Sequence, residues 1–142
     1  MIGSVSCLFN GGFRPVFGIM YDLTSFKLTY ATMLVVQAAV LATMSALATT
    51  FATYFIWVCI IMLCEGAHFV LLPSVCAKIY GPHMGAKMYA FLVPSYGLGT
   101  LSSMVLQKYY IADLGYETMW TMLTIMTLLA LVLNFVLFRE NS

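Results

Sequence analysis

Charge is what this chain has least of. Its 142 residues include six Lys or Arg and five Asp or Glu, only 8% charged in all, against roughly 25% in an ordinary soluble domain. A soluble fold of this length would lack the charge to cover its surface, so a water-exposed globule is excluded. The formal net charge of +1 leaves no basic footprint for nucleic acid. Four cysteines (Cys7, Cys59, Cys64, Cys76) lie singly in apolar runs. None forms a CxxC pair or a zinc-type His/Cys spacing, and they read as buried small hydrophobes. No Ser/His/Asp set, Walker loop or dinucleotide loop occurs, so no enzyme and no cofactor is expected. The first residues carry no basic n-region and no small-residue cleavage site of a removable leader.

What is abundant is apolar. The chain is 63% hydrophobic with a mean hydropathy of +0.98. A membrane-spanning helix needs about 20 mostly apolar residues, and the breaks in the sequence suit about five of them. Residues 1–21 make the first, followed by the polar turn DLTSFK (22–27). No charge appears from Leu28 to Cys64, a run too long for one span. The Thr-rich patch 49–53 divides it into spans at about 29–48 and 53–77. KIYGPHMGAK (78–87) reads as a loop, with Gly81, Pro82 and Gly85 as breakers. Further spans are expected at about 86–107 and 118–138, joined by the aromatic segment KYYIADLGYE, whose tyrosines suit an interface. Pro94, Gly97 and Gly99 predict a kink or a close contact in the fourth span. Ala38, Ala42 and Ala46 form a small stripe suited to helix packing. The fold class is therefore an all-α, polytopic membrane bundle, its lipid partner implied by composition.

Orientation follows from Lys and Arg in the connections. Lys27, Lys78, Lys87 and Arg139 fall on one side and Lys108 alone on the other, which puts the C-terminus in the cytoplasm. Which membrane holds the chain is not written in the sequence.

Within the first span, Arg14 is the one charged residue. A guanidinium at the centre of a membrane helix costs on the order of 2.5–3.5 kcal/mol on insertion scales, which makes it a functional-site candidate. Its planar fork matches a carboxylate. Asn10, one helical turn earlier, can steer it. The alternative is a structural arginine satisfied by backbone carbonyls or by Glu65. Glu65 and His68 share a face of the third span. They read as a proton relay, or as a charge partner for Arg14 beside a neutral, packed histidine. Tyr96 can hydrogen-bond a carboxylate or simply pack, and the same holds for Tyr89. Phe69 and Trp57 read as packing or interface residues.

Three stretches carry a resemblance. NGGFRPVFGIMYD (10–22) resembles the eighth helix and following turn of the oxalate/formate antiporter-like group of the major facilitator superfamily, whose members show Asn-Gly, Arg-Pro, Gly and a closing Asp. The monocarboxylate transporters share the Arg-Pro-x-x-Gly part. EGAHFVLLPSVCAKIYG (65–81) resembles the tenth helix, and GAKMYAFLVPSYGLGT (85–100) the eleventh. The resemblance covers nearly the whole chain. It implies a twelve-helix secondary carrier of which these 142 residues supply the last five helices, so that the partner is a missing N-terminal half. Arg14 then falls at the arginine that binds the substrate carboxylate, and Phe69 at the aromatic residue of the tenth helix. Glu65 stands where the family has tryptophan. Tyr96 stands where dicarboxylate carriers have lysine, which suits a monocarboxylate better than a dianion. Asp22 matches the acidic residue of the cytoplasmic-loop motif, whose glycine and basic pair are reduced here to DLTSFK. The function implied is transport of a small organic anion, with a proton as candidate companion. A non-transporting membrane subunit derived from such a carrier is the competing expectation.

Overall fold

In a computed structural model the backbone is described for residues 2–136, and side chains for those residues outside 110–114. Met1, the tail carrying Arg139 and the end of the expected span 118–138 lie outside the described residues. The described chain is helical almost throughout and, among those residues, contains no strand. It begins with α1 (Ile2–Gly12), α2 (Arg14–Leu23) and α3 (Phe26–Leu47). The remaining helical run Phe51–Val136 is broken by non-helical backbone at Gly81 and Gly115. We number its parts α4 (51–80), α5 (82–114) and α6 (116–136).

Local chemistry accounts for each break. Residues 1–21 are not one uninterrupted helix: Phe13 separates α1 from α2. Pro15 has no N–H for the Gly11 carbonyl, and its ring crowds the preceding turn. The interruption is slight, because Phe13 keeps near-helical dihedrals (φ −91, ψ −2). α3 starts earlier than the hydrophobic run suggests because Ser25 caps it. Ser25 is extended, and its Oγ accepts from the Leu28 N–H at 3.2 Å, the usual N-cap arrangement. Thr50 and Thr53 cap α4 reciprocally: the Thr53 N–H donates to Thr50 Oγ1 at 3.3 Å and the Thr50 N–H to Thr53 Oγ1 at 3.1 Å. This is a capping box with threonine in the place of the usual Glu or Gln.

Segment 78–87 is not an extended loop. Helix persists to Tyr80 and resumes at Pro82, with Gly81 alone at φ 78, ψ 163. Glycine tolerates that backbone without a Cβ penalty, and proline is preorganised for a first helical turn. A Cβ on Gly85 would come within 2.6 Å of Ala77 Cα, so α5 folds back against the end of α4. Gly115, at φ 74, makes the corresponding break before α6 inside the segment 108–117.

The chain divides into two compact units, one containing residues up to Leu71 and from Trp120 onward, the other Leu72–Met119. In the first unit α3 and α4 pack antiparallel. Tyr30 meets His68 at one end, and Trp57 Nε1 donates to Thr43 Oγ1 at 3.1 Å at the other. Small residues on α4 (Cys59, Cys64, Ala67) are buried, as are Met33, Leu34, Leu41 and Met44 on α3, and Cys64 Sγ approaches the Met33 carbonyl at 4.0 Å. Such residues let membrane helices approach when no hydrophobic gain separates protein from lipid. The Ala38 stripe is split, since Ala38 is buried while Ala42 and Ala46 are exposed. Of the cysteines, Cys59, Cys64 and Cys76 are buried as expected, but Cys7 is exposed. α6 is tied to the start of α3: Asn134 Nδ2 donates to the Lys27 carbonyl at 3.1 Å, and Lys27 Nζ to the Phe135 carbonyl at 3.0 Å.

Among the described residues, three stretches are long and apolar enough to cross a membrane: Phe26–Leu47, Phe51–Tyr109 and Gly115–Val136. The second, at 59 residues, would run about 90 Å if straight at 1.5 Å per residue. It folds back at Gly81 and so offers two passages. Large apolar side chains such as Phe91, Leu98 and Met104 are exposed along α5, as suits a lipid or helix neighbour. The chain is an integral, multi-pass membrane protein.

Candidate functional site

Arg14 opens α2, so its guanidinium springs from the positive end of a helix. The first turn closes on the Phe13 carbonyl, which accepts from the Val16 N–H at 3.1 Å. One η nitrogen of Arg14 donates to Asn10 Oδ1 at 2.8 Å, a charge-assisted bond across the break between α1 and α2. The guanidinium carbon lies 5.1 Å from the centroid of the Phe69 ring on α4, within cation–π range. Asn10 and Phe69 therefore hold the cation from two sides with neutral groups. Arg14 and Glu65 form no ion pair with each other. The guanidinium is exposed, keeps N–H donors beyond the one given to Asn10, and can take a planar anion.

The α1–α4 approach beneath this group is close. Gly66 lies directly against the Asn10 backbone, and a Cβ there would overlap the Asn10 carbonyl oxygen. Gly18 on α2 also faces α4, but a Cβ there would meet only Val70 Cγ1 at 3.8 Å, an ordinary contact.

Glu65 and His68 occupy the α3-facing side of α4. The Tyr30 hydroxyl and His68 Nδ1 share a hydrogen bond of 3.3 Å, and the two rings meet edge to face at 5.5 Å. Tyr30 stacks in turn on Phe26. Glu65 is half-buried and lies within electrostatic reach of Tyr30 and Cys64. Of the sequence candidates, Asn10, Arg14, Asp22, Glu65, His68 and Phe69 thus fall in the first unit.

Tyr96 belongs to the second unit. There it lines an open groove of about 500 Å³ together with Leu72, Leu92, Ser95, Gly99, Thr100 and Ser103. The hydroxyls lean on their own helix: Thr100 Oγ1 donates to the Tyr96 carbonyl and Ser103 Oγ to the Thr100 carbonyl, each at 2.9 Å. Such back-bonding lets polar residues sit in an apolar span. Asp22 is exposed at the end of α2, beside the turn in which Thr24 Oγ1 donates to the Met20 carbonyl at 2.7 Å.

Two contributors escape sequence reasoning. Tyr30 lies in an apolar run with nothing to mark it as the partner of His68. Gly66 shows only as a small residue beside Glu65, although a glycine inside a spanning helix is itself a signal for close helix approach. Among the described residues no group of three or more His, Cys, Asp or Glu is placed to hold a metal ion.

Comparison with curated proteins and comparison with solved structures gave no match. The Major Facilitator Superfamily, by contrast, matches residues 1–142, and the chain belongs to this superfamily of membrane transporters.

Proposed function

We propose that the chain forms part of a secondary carrier for a small organic anion, a monocarboxylate, with Arg14 as the cation that binds it. The observation that carries this reading is the state of Arg14. It is positioned by Asn10 at 2.8 Å and by the Phe69 ring and is not spent on Glu65. A single guanidinium in an apolar setting matches one carboxylate. Tyr96 in place of a second cation supports a monoanion over oxalate, and Phe69 offers an apolar wall to the substrate's carbon chain.

Glu65 and His68 are the proposed proton or charge partners. Their position on α4, with Phe69 the next residue after His68, supports coupling between the proton and the anion. Asp22 belongs to the cytoplasmic turn before α3, and the Lys and Arg distribution supports a cytoplasmic C-terminus. Carriers of this superfamily rock two six-helix halves about a midplane site. The transport unit accordingly includes a first half beyond these residues, and the proposed relationship is to the oxalate/formate antiporter-like and monocarboxylate carriers.

The test is uptake of radiolabelled lactate, formate and oxalate into vesicles. Three proteins are compared: the chain alone, the chain joined to a matching first half, and that fusion with Arg14→Ala. Uptake of lactate or formate by the intact-arginine fusion alone is the expected result. Correct insertion of all three with no uptake would instead favour a non-transporting membrane subunit.

A further inference from the structure

Four groups form a closed circuit in the first unit. The α4 backbone at Gly66 lies against the Asn10 backbone of α1. The Asn10 side chain accepts from Arg14 at 2.8 Å. Arg14 sits over Phe69 at 5.1 Å. Phe69 returns to Gly66 along one face of α4, three residues on. Asn10 thus has two tasks: its main chain sets the distance to α4, and its side chain aims the guanidinium.

We propose that Gly66 is a positioning residue for the Arg14 site, because only the absence of a Cβ there lets α1 come near enough for Arg14 to reach Phe69. This rests on the functional reading above. A Cβ on Gly66 would overlap the Asn10 carbonyl oxygen and stand 3.1 Å from its carbonyl carbon and 3.2 Å from its Cα. All three are helix backbone atoms, which cannot rotate aside as a side chain can. α1 must retreat by about 1 Å to restore ordinary carbon contacts of about 3.5–4 Å. Because Phe13 is near-helical, that displacement carries Asn10 and Arg14 together and takes the guanidinium from 5.1 Å to about 6 Å from the Phe69 ring, the limit of cation–π range. Gly18 supplies the internal control. It faces the same helix from α2, yet its added Cβ would meet only the flexible end of Val70 at 3.8 Å.

The experiment compares Gly66→Ala and Gly18→Ala in the complete carrier, with two readouts. The first is KM and Vmax for lactate uptake, with Vmax normalised to inserted protein. The second is the rate at which phenylglyoxal modifies Arg14 with no substrate present, read by mass spectrometry. Gly66→Ala is expected to raise KM by about threefold to tenfold, the size of a weakened cation–π contact. It leaves normalised Vmax near wild type and accelerates Arg14 modification. Gly18→Ala changes neither. A Gly66→Ala carrier with unchanged KM and unchanged Arg14 reactivity overturns the proposal, and so does one that fails to insert, since a positioning residue leaves insertion intact. If the wild-type carrier moves no carboxylate, the functional reading fails, and Arg14 reactivity still decides the role of Gly66.

Discussion

Arg14 is an exposed cation in an otherwise uncharged stretch. Arg14 reaches Asn10 and Phe69, both neutral, so its charge is positioned without being neutralised. Lysine in its place keeps the charge and loses the planar fork and the ring stacking. Arg14→Lys is therefore expected to retain weak uptake, lowered by about tenfold or more, the size of a lost charge-assisted hydrogen bond, while Arg14→Ala abolishes it. Equal uptake by the Lys and Arg forms would show that only charge matters at this position. Tyr30→Phe keeps the ring stacked on Phe26 and removes the bond to His68. Interhelical hydrogen bonds in membranes average about 0.6 kcal/mol, so the variant should unfold in detergent only slightly below wild type. Much of this scale was legible from the residues. Arg14 and Asn10 stood out because polarity is rare there and their spacing is helical. The identity of the His68 partner did not, because the α3–α4 register that joins residues 38 positions apart is a matter of packing and leaves no local signature.

Helix ends in this chain are set by single residues. Gly81 turns the chain between α4 and α5 at φ 78, a backbone that costs an L-residue on the order of 1–3 kcal/mol. Gly81→Ala should lower thermal stability in detergent by that amount, whereas Gly97→Ala, which meets nothing within 4 Å, should not. A Gly81→Ala protein as stable as wild type would mean that the turn survives by another backbone route. Thr50→Ala removes the cap on α4 and should cost about 1 kcal/mol, read from the same melting curves. Here the sequence points to the right breakers but not to their extent. Gly, Pro, His and a second Gly between residues 81 and 85 suggest a loop of several residues. A positive-φ glycine followed by proline completes the reversal in one. The first span shows the opposite case, where Gly-Gly-Phe-Arg-Pro looks continuous by hydropathy but Pro15 interrupts its hydrogen-bond ladder.

At the scale of the molecule, helical spans in two compact units carry the Arg14 group in one unit and the groove lined by Tyr96 in the other. The chain belongs to the major facilitator superfamily of membrane transporters. The Lys and Arg distribution makes a separate prediction. Single cysteines introduced at Ser25 and His83, in a background lacking the native four, should both react with impermeant thiol reagents from the cytoplasmic face. Labelling of either from the opposite face would overturn the orientation.

The central claim, that Arg14 binds a carboxylate, is tested most directly by substrate protection. The sequence holds only one other arginine, Arg139, which serves as a reference within the same molecule. The carrier in vesicles is treated with phenylglyoxal with and without lactate, and modification at each arginine is quantified by mass spectrometry. Lactate slowing modification of Arg14 while leaving Arg139 unchanged, with chloride at the same concentration giving no protection, is the predicted result. Equal rates at Arg14 with and without lactate, or equal protection by chloride, would contradict it.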